Sequence, residues 1–482
     1  MKHGLSIYHF LKKEVNVAKF KVYAKRKNGD NVEEAVFFYD NMTSSLMWEN
    51  GEEIYNEGIR KKTANKTWRT APVTTPDAPL GKKSTVKTLK IQLGLSCNYS
   101  CEYCSQRFVP HADETNSKYV DKFVKNLDLW LEGSPDRIEF WGGEPLVYIK
   151  TIKPLAEQLR IKFPKAKFGM VTNGSLLNPE LNEWIDKMGF GVGISHDGPG
   201  QPVRGPDPLD DPKQREGIVD LFKRLAPQGR ISFNTMMNRE NMDRAAVQKF
   251  FDSFLTSIGV HRYNIGEGGF IDPYDEGGLA NSLKTQDEHI GFRRITLNQT
   301  RKNQNYKFGI VNQRINEWIQ SISSLRPASA LGQKCGMDDI ETIAVDLRGN
   351  VLTCQNVSAV STAPNGKQHM LGHVSQLDKV KLKTSTHWSA RKECVDCPVL
   401  QACKGACMYL EGNLWNNACE NAYTDHIPFW AASIEKMSGF LPYYIENENL
   451  PEHRRDIWGS PDQKIALPET RKQPTQLNNL GE

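Results

Sequence analysis

Ten cysteines give this chain its clearest chemical signature, and their spacing is typical of metal ligands. The first three are Cys97, Cys101 and Cys104, with three and then two residues between the thiols. The other seven follow much later, at Cys335, Cys354, Cys394, Cys397, Cys403, Cys407 and Cys419. Iron–sulfur clusters normally take four thiolates. A group of three therefore leaves one coordination position for another molecule, and we expect chemistry to begin there.

Zinc and disulfides are the other uses that such cysteines allow. Structural zinc sites close with four ligands, and no histidine lies within residues 97–104 to complete one. The C-x2-C pair of Cys394 and Cys397 also occurs in zinc ribbons, so zinc stays open as an alternative for the second group. Disulfide frameworks belong to small secreted chains, whereas a chain of 482 residues without a signal peptide favours metal.

Charge and hydropathy limit the partners of the chain. It has 62 basic and 57 acidic residues, which gives no electrostatic footprint for nucleic acid or an anionic membrane. No apolar run approaches the roughly eighteen residues of a membrane helix. The basic, briefly apolar start lacks the cleavage site of a signal peptide. We therefore expect a cytoplasmic protein that binds neither nucleic acid nor membrane.

From residue 88 onward, strand patterns alternate with helical ones. Periodicity predicts six strands, over residues 89–95, 137–141, 168–172, 192–195, 231–235 and 262–265. Helical stripes lie between them, as with Ile152, Leu155 and Leu159. This order predicts a parallel α/β sheet, either doubly wound or curled into a barrel. Ligands of both folds sit at the carboxyl ends of the strands, and the first three cysteines directly follow the first strand.

Motifs at these strand ends resemble the radical S-adenosylmethionine (SAM) superfamily. The C-x3-C-x2-C motif carries an aromatic residue, Tyr103, just before its last cysteine. Gly142-Gly143-Glu144-Pro145 resembles the GGEP segment of the family. The sequences at 172–175 and 195–199 match the segments after the third and fourth strands. The resemblance covers roughly residues 85–270, with the motifs in the order of the family.

This resemblance implies a partial (β/α)6 barrel and a SAM site. Cys97, Cys101 and Cys104 would hold a [4Fe–4S] cluster whose open iron binds the amino and carboxylate groups of SAM. Electron transfer from a reductant such as flavodoxin or ferredoxin would cleave SAM to methionine and a 5′-deoxyadenosyl radical. The residues expected to contact SAM are Tyr103, Gly142, Gly143, Glu144, Ser195 and Arg204, with Asn234 as a weaker candidate.

Each of these residue types suits its expected role. Glycines let the backbone approach a ligand closely. Glu144 can accept hydrogen bonds from the ammonium group of SAM. Arg204 can grip a carboxylate at two points. Taken singly, the glycines fit an ordinary turn and the arginine fits a solvated surface. Only their combination with the three cysteines indicates a SAM site.

The seven later cysteines resemble the SPASM domain, an auxiliary-cluster module of peptide-modifying radical SAM enzymes. Their spacing fits all seven family positions. By that resemblance, Cys394, Cys397, Cys403 and Cys419 complete one auxiliary [4Fe–4S] cluster. Cys335, Cys354 and Cys407 hold another with only three thiolates, which makes three [4Fe–4S] clusters in total. Asp338 and Asp339 are candidate oxygen ligands for the open position, but we favour solvated loop residues.

The first functional reading is a maturase that acts on a ribosomally made peptide or protein. An open auxiliary cluster suits oxidative cross-linking, such as a thioether or carbon–carbon bond. Anaerobic sulfatase-maturing enzymes resemble the chain but carry an eighth auxiliary cysteine, which argues against formylglycine formation. Modification without cross-linking, by sulfatase-type maturation or epimerisation, is the alternative. A non-catalytic iron–sulfur or zinc protein is the third reading.

Composition divides the chain into regions around the barrel. A hairpin is predicted around Asn28-Gly29-Asp30, followed by a basic linker over residues 61–83. The N-terminal region either binds a leader peptide by strand addition or serves as a structural extension. The expected regions are an N-terminal extension (1–85), a radical SAM core (86–300), a helical bridge (301–334), a SPASM domain (335–440, loop-rich α+β) and a C-terminal tail (441–482).

Overall fold

The structure is a computed structural model that describes residues 19–75, 77–112, 116–304, 306–459 and 465–470. Its strands are β1 (Phe20–Asn28), β2 (Asn31–Asp40), β3 (Ser45–Trp48), β4 (Thr88–Gln92), β5 (Arg137–Trp141), β6 (Lys167–Thr172), β7 (Phe190–Ser195), β8 (Ile231–Met237), β9 (Ile265–Phe270), β10 (Thr342–Asp346), β11 (Asn350–Leu352), β12 (Met370–His373) and β13 (Leu441–Glu446).

The α-helices are α1 (Glu57–Thr63), α2 (Val120–Asn126), α3 (Ile149–Lys162), α4 (Pro179–Lys187), α5 (Pro212–Leu225), α6 (Arg244–Ser257), α7 (Glu276–Leu279), α8 (Gln286–Arg301), α9 (Gly309–Ser323), α10 (Lys392–Val395), α11 (Leu400–Cys403), α12 (Gly412–Ser438) and α13 (Glu452–Arg455). Short 3₁₀ helices lie at Ser117–Tyr119, Leu127–Leu129, Pro145–Tyr148, Gly198–Val203, Ala226–Gln228, Ala328–Ala330, Val374–Lys379 and Trp388–Ala390. Within the described residues, no helix is long and apolar enough to span a membrane.

A nine-stranded sheet forms the centre of the molecule. Strands β4 to β9 lie side by side in chain order and all run parallel. A doubly wound sheet would reverse its strand order at a switch point, so the barrel alternative is confirmed. At the other edge, β10 pairs parallel with β4, and β11 and β12 continue the sheet antiparallel. The cysteine-rich region therefore extends the sheet of the barrel.

The sixth barrel strand lies later in the chain than its predicted position over residues 262–265. Strand β9 begins at Ile265 and runs to Phe270, through three glycines. A Cβ atom at Gly266 would overlap the side chain of Asn234 on the neighbouring β8. Glycine is therefore needed for this close approach, and it removes the alternating apolar signal by which strands are recognised.

The other barrel strands and helices lie close to their predicted positions. Helix α4 begins as expected, because Asn178 accepts a hydrogen bond from Leu181 N at 3.0 Å and Pro179 occupies the first turn. It ends before Gly189, which has a left-handed φ of 71°. In α3, the predicted apolar face of Ile152, Leu155 and Leu159 is fully buried. Burial of each such side chain stabilises the fold by about 1.5–3 kcal/mol.

The N-terminal hairpin is present, but a strand from the C-terminal region completes its sheet. β1 pairs with β2 across the two-residue turn Gly29-Asp30, and the sheet order is β13-β1-β2-β3. The prediction of a C-terminal tail is therefore wrong for Leu441–Glu446. This segment is held by buried Leu441 and Ile445 and by a 2.7 Å hydrogen bond from Trp458 Nε1 to Pro442 O.

Both outer strands of this N-terminal sheet have partners along their outer edges. Beyond β3, Ile54 N donates to Leu46 O at 2.8 Å and Trp48 N to Glu52 O at 2.8 Å. Beyond β13, Ile457 N donates to Tyr443 O at 3.0 Å. Strand addition needs an open edge. The arrangement therefore favours the structural-extension reading of the N-terminal region over leader binding at this sheet.

The basic segment predicted as a linker packs against the cysteine-rich region. Lys82 Nζ donates to Met337 O at 2.7 Å and to Asp339 O at 2.9 Å, and the Lys82 side chain is buried. Thr74 Oγ1 donates to Leu382 O at 2.9 Å. These contacts make the segment a strap along the cysteine-rich region, where the sequence predicted a linker.

A buried ionic network joins the last barrel strand to the helices that follow it. Arg244 on α6 makes two hydrogen bonds to Glu267 on β9, at 2.7 and 2.8 Å, and one to Asp425 on α12 at 2.9 Å. Arg314 on α9 lies 2.9 Å from the other oxygen of Asp425. The region predicted as a helical bridge thus contains α9 and is locked to the barrel and to α12.

Candidate functional site

The loop after β4 carries the first cysteines and lies against the loop after β5. Gly143 N donates to Gly94 O at 2.9 Å, and Glu144 N donates to Ser96 O at 3.0 Å. A Cβ atom at Gly143 would overlap the carbonyl oxygens of Leu95 and Ser96. Gly143 therefore permits the close contact that positions the backbone leading into Cys97. Its contact with SAM, and that of Gly142, stays a prediction.

The three cysteines of this loop are near one another and near the protein surface. Cys97 is exposed, whereas Cys101 and Cys104 are half-buried. Backbone N–H groups of Tyr99 and Gln106 donate to the sulfur atoms of Cys97 and Cys104, both at 3.4 Å. Burial raises the pKa of Cys101 to about 11. A bound metal would supply the positive charge that such a thiol needs to ionise at neutral pH.

Glu144 is buried and largely engaged with protein groups. Its Oε1 accepts hydrogen bonds from Leu146 N at 3.0 Å and Thr172 Oγ1 at 2.6 Å, and its Oε2 accepts one from Asn173 N at 2.7 Å. Burial raises the pKa of this carboxyl group, and these donors oppose the shift. A carboxylate has about four acceptor positions. One position on Oε2 thus stays available for a ligand ammonium group.

Tyr103 and Arg204 meet at a buried carboxylate. The hydroxyl of Tyr103 donates to Asp197 Oδ2, and Arg204 Nη1 donates to that hydroxyl at 2.7 Å. Burial acts to lower the pKa of Arg204, but Tyr103, Asp197 and Cys101 outweigh it and raise the pKa, so the guanidinium stays charged. Its Nε is buried and has no hydrogen-bond partner among the described residues. Its Nη1 lies 3.8 Å from Asp197 Oδ1, so the unpartnered Nε–H is the group that fits a carboxylate ligand.

The remaining motif residues tie the strand-end loops together. Asn173 and Ser175 both hydrogen bond to Asn98 in the cysteine loop, each at 2.8 Å. Ser195 ends β7 opposite Asn234 of β8. The loop after β7 is braced by His196, whose Nε2 lies 2.9 Å from Asp207. The structure thus brings the expected SAM-contacting residues to one end of the barrel.

Four of the later cysteines line one small enclosed cavity. Cys394, Cys397, Cys403 and Cys419 surround it together with Trp415 and Tyr423. Burial raises the pKa of Cys403 to about 11 and that of Cys397 to about 12. Four thiols facing one another in a buried cavity make a donor set that suits a metal cluster.

The other three cysteines line a second cavity, of about 500 Å³, and they share it with Cys101 and Cys104 of the first loop. Among its remaining lining residues are Tyr103, Arg204, Asp272, Tyr274, Lys334, Gln355, Asn356 and Tyr409. Cys335, Cys354 and Cys407 therefore line the same cavity as two cysteines of the loop after β4. A substrate in this cavity would touch both groups of thiols.

The disulfide alternative receives no support from this geometry. All ten cysteines are free thiols. Among the described residues, no three histidine, cysteine or acidic side chains lie close enough to share one metal ion. The zinc alternative stays open for Cys394 and Cys397.

Of the two candidate oxygen ligands, Asp338 is buried and Asp339 is exposed. Asp338 Oδ2 accepts a hydrogen bond from Gln333 N at 2.8 Å, and Asp339 Oδ1 accepts one from Glu341 N at 2.8 Å. Both carboxylates hold their own loop together. The solvated reading therefore suits Asp339, whereas Asp338 is a buried structural residue.

Asp272, Tyr274 and Lys334 are cavity residues that the sequence interpretation missed. Asp272 Oδ2 lies 3.8 Å from Lys334 Nζ. Burial raises the pKa of Asp272, and Lys334 opposes the shift. Titratable groups in a cleft are candidates for proton transfer. Asp272 follows the sixth strand by two residues, so correct placement of that strand would have pointed to it.

A comparison with known protein families also points to the radical SAM superfamily. Residues 91–251 match the model of the radical SAM superfamily. The chain therefore contains a radical SAM domain, and SAM and an iron–sulfur cluster are the cofactors of that superfamily.

Two curated proteins are similar in sequence. The radical SAM cyclopropyl synthase TigE of Paramaledivibacter caminithermalis is 24% identical over 204 residues, which cover 39% of this chain and 41% of the synthase. The cysteine-type anaerobic sulfatase-maturating enzyme of Clostridium perfringens is 24% identical over 336 residues, which cover 64% of this chain and 85% of that enzyme. The chain matches less than half the length of the first curated relatives.

The fold is similar to a solved structure, native anSMEcpe with bound AdoMet and Cp18Cys peptide. The TM-score is 0.50, the sequence identity is 17%, and the match covers 74% of this chain and 99% of that chain. At this level of identity, the likeness establishes a common fold.

Proposed function

We propose that this protein is a radical SAM maturase that oxidatively modifies a side chain of a ribosomally made peptide or protein. The observation that carries the proposal is the shared cavity of about 500 Å³, which is lined both by Cys101 and Cys104 and by Cys335, Cys354 and Cys407. A cavity lined by two metal-binding groups suits a reaction that removes a hydrogen atom and then an electron from one substrate.

The cysteines divide into three proposed ligand sets. Cys97, Cys101 and Cys104 hold the cluster that binds SAM. Cys394, Cys397, Cys403 and Cys419, which share an enclosed cavity, hold a fully ligated auxiliary cluster. Cys335, Cys354 and Cys407 hold an auxiliary cluster with one open position. When bound, SAM and these clusters supply a radical that abstracts hydrogen and an acceptor for the second electron.

The side chains of the chain itself bind and orient. Arg204, with its unsatisfied Nε, fits the carboxylate of SAM, and Oε2 of Glu144 fits its ammonium group. Asp272, on the cavity wall, is positioned to take the proton that the oxidised substrate releases. Lys334, 3.8 Å away, stabilises the Asp272 carboxylate in its proton-accepting form.

Oxidative cross-linking is the preferred outcome because the auxiliary site facing the cavity has three thiolates, and its open position leaves room for a substrate group. Modification without cross-linking is the second candidate. It is favoured by the sulfatase-maturating enzyme, which aligns with 64% of this chain, and by the fold shared with anSMEcpe, which was solved with a bound peptide. Flavodoxin or ferredoxin is the proposed electron donor.

Two cysteine variants test the proposal. The protein is reconstituted with iron and sulfide without oxygen, reduced with dithionite and incubated with SAM. Cys101→Ala should form no 5′-deoxyadenosine. Cys407→Ala should still form it, because the cluster that binds SAM keeps its three thiolates. Full SAM cleavage by Cys101→Ala would refute the assignment of the first cluster, and no cleavage by the wild type would refute the enzyme reading.

The mass of a treated substrate peptide shows which product the enzyme forms. The open reading frames beside the gene are searched for a short peptide, this candidate substrate is incubated with wild type and Cys407→Ala, and its mass is measured. A cross-link appears as the loss of two hydrogen atoms without reactivity towards a hydrazide, oxidation of serine to formylglycine loses two hydrogen atoms and leaves a hydrazide-reactive aldehyde, and epimerisation leaves the mass unchanged. We expect the wild type to form the cross-link and Cys407→Ala to release unmodified peptide. Equal product from both would contradict a role for the auxiliary cluster.

A further inference from the structure

Tyr274 connects the barrel to the auxiliary site with three thiolates. It lies in the loop after β9 and lines the shared cavity. Its hydroxyl oxygen is 3.0 Å from the sulfur of Cys407, which is itself buried. This is a direct contact from a barrel loop to a sulfur atom of the cysteine-rich region.

The loop holds Tyr274 firmly from both sides. Before it, Ile271 N donates to Met237 O of β8 at 3.0 Å, and Asn421 of α12 donates to Ile271 O at 3.2 Å. After it, Asp275 Oδ1 accepts from Gly278 N at 2.7 Å and caps α7. These hydrogen bonds fix the backbone on both sides of Tyr274 and so position its hydroxyl group near Cys407.

The direction of this hydrogen bond follows from chemistry. A cysteine that ligates iron is a thiolate and has no S–H to donate, so the phenol must be the donor. Hydrogen bonds to ligand sulfurs help to set the reduction potential of a cluster. A donor stabilises the more negatively charged reduced state. The Tyr274 contact should therefore raise the potential.

From this geometry we infer that Tyr274 is a positioning residue that raises the reduction potential of the cluster bound by Cys335, Cys354 and Cys407. The inference rests on the proposed function, since it requires a cluster at these three cysteines. A higher potential makes that cluster a better acceptor for the electron that an oxidised substrate gives up. Tyr274 would then help to set the direction in which the electron moves.

Tyr409 provides a matched control. It lines the same cavity and is buried, but its hydroxyl donates to Thr353 O at 2.7 Å instead of to a sulfur atom. Tyr409→Phe and Tyr274→Phe each remove one hydroxyl group from the wall of the cavity. They differ in whether a hydrogen bond to a cluster ligand is lost.

The experiment removes the SAM-binding cluster so that the EPR signals of the two auxiliary clusters can be recorded without its signal. Cys97→Ala, Cys101→Ala and Cys104→Ala are combined in the full-length chain, and Tyr274→Phe or Tyr409→Phe is added to this background. Iron is quantified after anaerobic reconstitution, and each protein is titrated with reductant while EPR spectra are recorded. We expect about eight irons per chain in all three proteins, as two four-iron clusters require.

We expect the EPR signal of one auxiliary cluster to titrate at a more negative reduction potential in Tyr274→Phe. In Tyr409→Phe, the signals of both auxiliary clusters should keep their reduction potentials. Eight irons with unchanged potentials in Tyr274→Phe would overturn the role of Tyr274 alone, as would equal shifts in both variants. A background protein with only about four irons would overturn the second auxiliary cluster, and the role of Tyr274 with it.

Discussion

At Gly143, the cysteine loop leaves no space for a side chain. The Gly143 amide donates to Gly94 O, and a side chain at this position would overlap the carbonyl oxygens of Leu95 and Ser96. These carbonyls belong to the rigid backbone that leads into Cys97, so neither can move aside as a flexible side chain would. The glycine is thus a steric requirement of the loop, whether or not it also touches SAM.

Gly143→Ala should therefore displace the loop and lower iron binding at the first cysteines. We expect the loss of about four irons per chain and of SAM cleavage, while both auxiliary sites stay loaded. The control is Gly291→Ala on α8, where nothing lies within 4 Å of the added carbon. That variant should keep its iron and gain up to about 1 kcal/mol of helix stability. Full iron content in Gly143→Ala would show that the loop tolerates the side chain.

Asp272→Asn tests the proton acceptor proposed in the shared cavity. Asparagine keeps the shape of the side chain but cannot take a proton, so peptide modification should fall by about 10²–10⁴-fold. Formation of 5′-deoxyadenosine should continue, because Asp272 is not among the residues expected to contact SAM. The matched control is Asp275→Asn, three residues along, which caps α7 and is not a cavity-lining residue. Equal product formation by Asp272→Asn and wild type would rule out this role.

Cysteines could be found from sequence and Asp272 could not, for a physical reason. Thiolate ligands of one cluster must meet at short distances, which leaves a fixed spacing such as that of Cys97, Cys101 and Cys104. An aspartate that acts from a strand end needs only the right place in the fold. Asp272 could be recognised only after β9 was correctly placed.

Among the elements, helices α8 and α12 meet at a buried histidine. His289 Nδ1 lies 2.7 Å from Thr424 Oγ1. Burial lowers the pKa of His289 from 6.5 to about 4, with Arg293 and Arg454 also lowering it and Glu420 and Glu288 opposing them. The folded protein therefore keeps this side chain neutral at pH values where the unfolded chain would protonate it.

The stability of the fold should then fall between pH 6.5 and pH 4. In this range the unfolded state binds more protons than the native state, so the free energy of unfolding decreases as the pH drops. Between pH 7 and pH 5, His289 should account for about 2 kcal/mol of that decrease. His289→Gln should lose this contribution while keeping a group that can hydrogen bond to Thr424.

The measurement is urea unfolding of the wild type and His289→Gln at pH 7 and pH 5, with both proteins carrying the same iron content. The difference in unfolding free energy between the two pH values should be smaller in the variant. Identical pH dependence in the two proteins would mean that His289 has an ordinary pKa in the folded state.

Strands with apolar alternation were predictable, and those without it were not. The strand predicted over residues 137–141 coincides with β5, because Ile138 and Phe140 alternate with polar residues. Strand β9 was misplaced because its glycines carry no hydropathy signal. Strand β13 was read as a tail because its partner, β1, lies more than four hundred residues away in the chain. Long-range pairing of this kind leaves no local trace in the sequence.

At the scale of the whole molecule, the barrel and the cysteine-rich region form one structure around one cavity. They share the nine-stranded sheet through the pairing of β4 with β10. Tyr274 and the strap at Lys82 add further contacts between them. The resemblance to known families implied both cluster-binding regions, but their meeting at one cavity depends on tertiary packing, which motif spacing does not encode.

The central claim is that this chain holds three clusters, two of which face the shared cavity. The most direct test is the iron content per chain after anaerobic reconstitution, for the wild type and for the variant with Cys335→Ala, Cys354→Ala and Cys407→Ala. We expect about twelve irons in the wild type and about eight in the variant. A wild-type protein that holds eight irons or fewer, or zinc in their place, would contradict it.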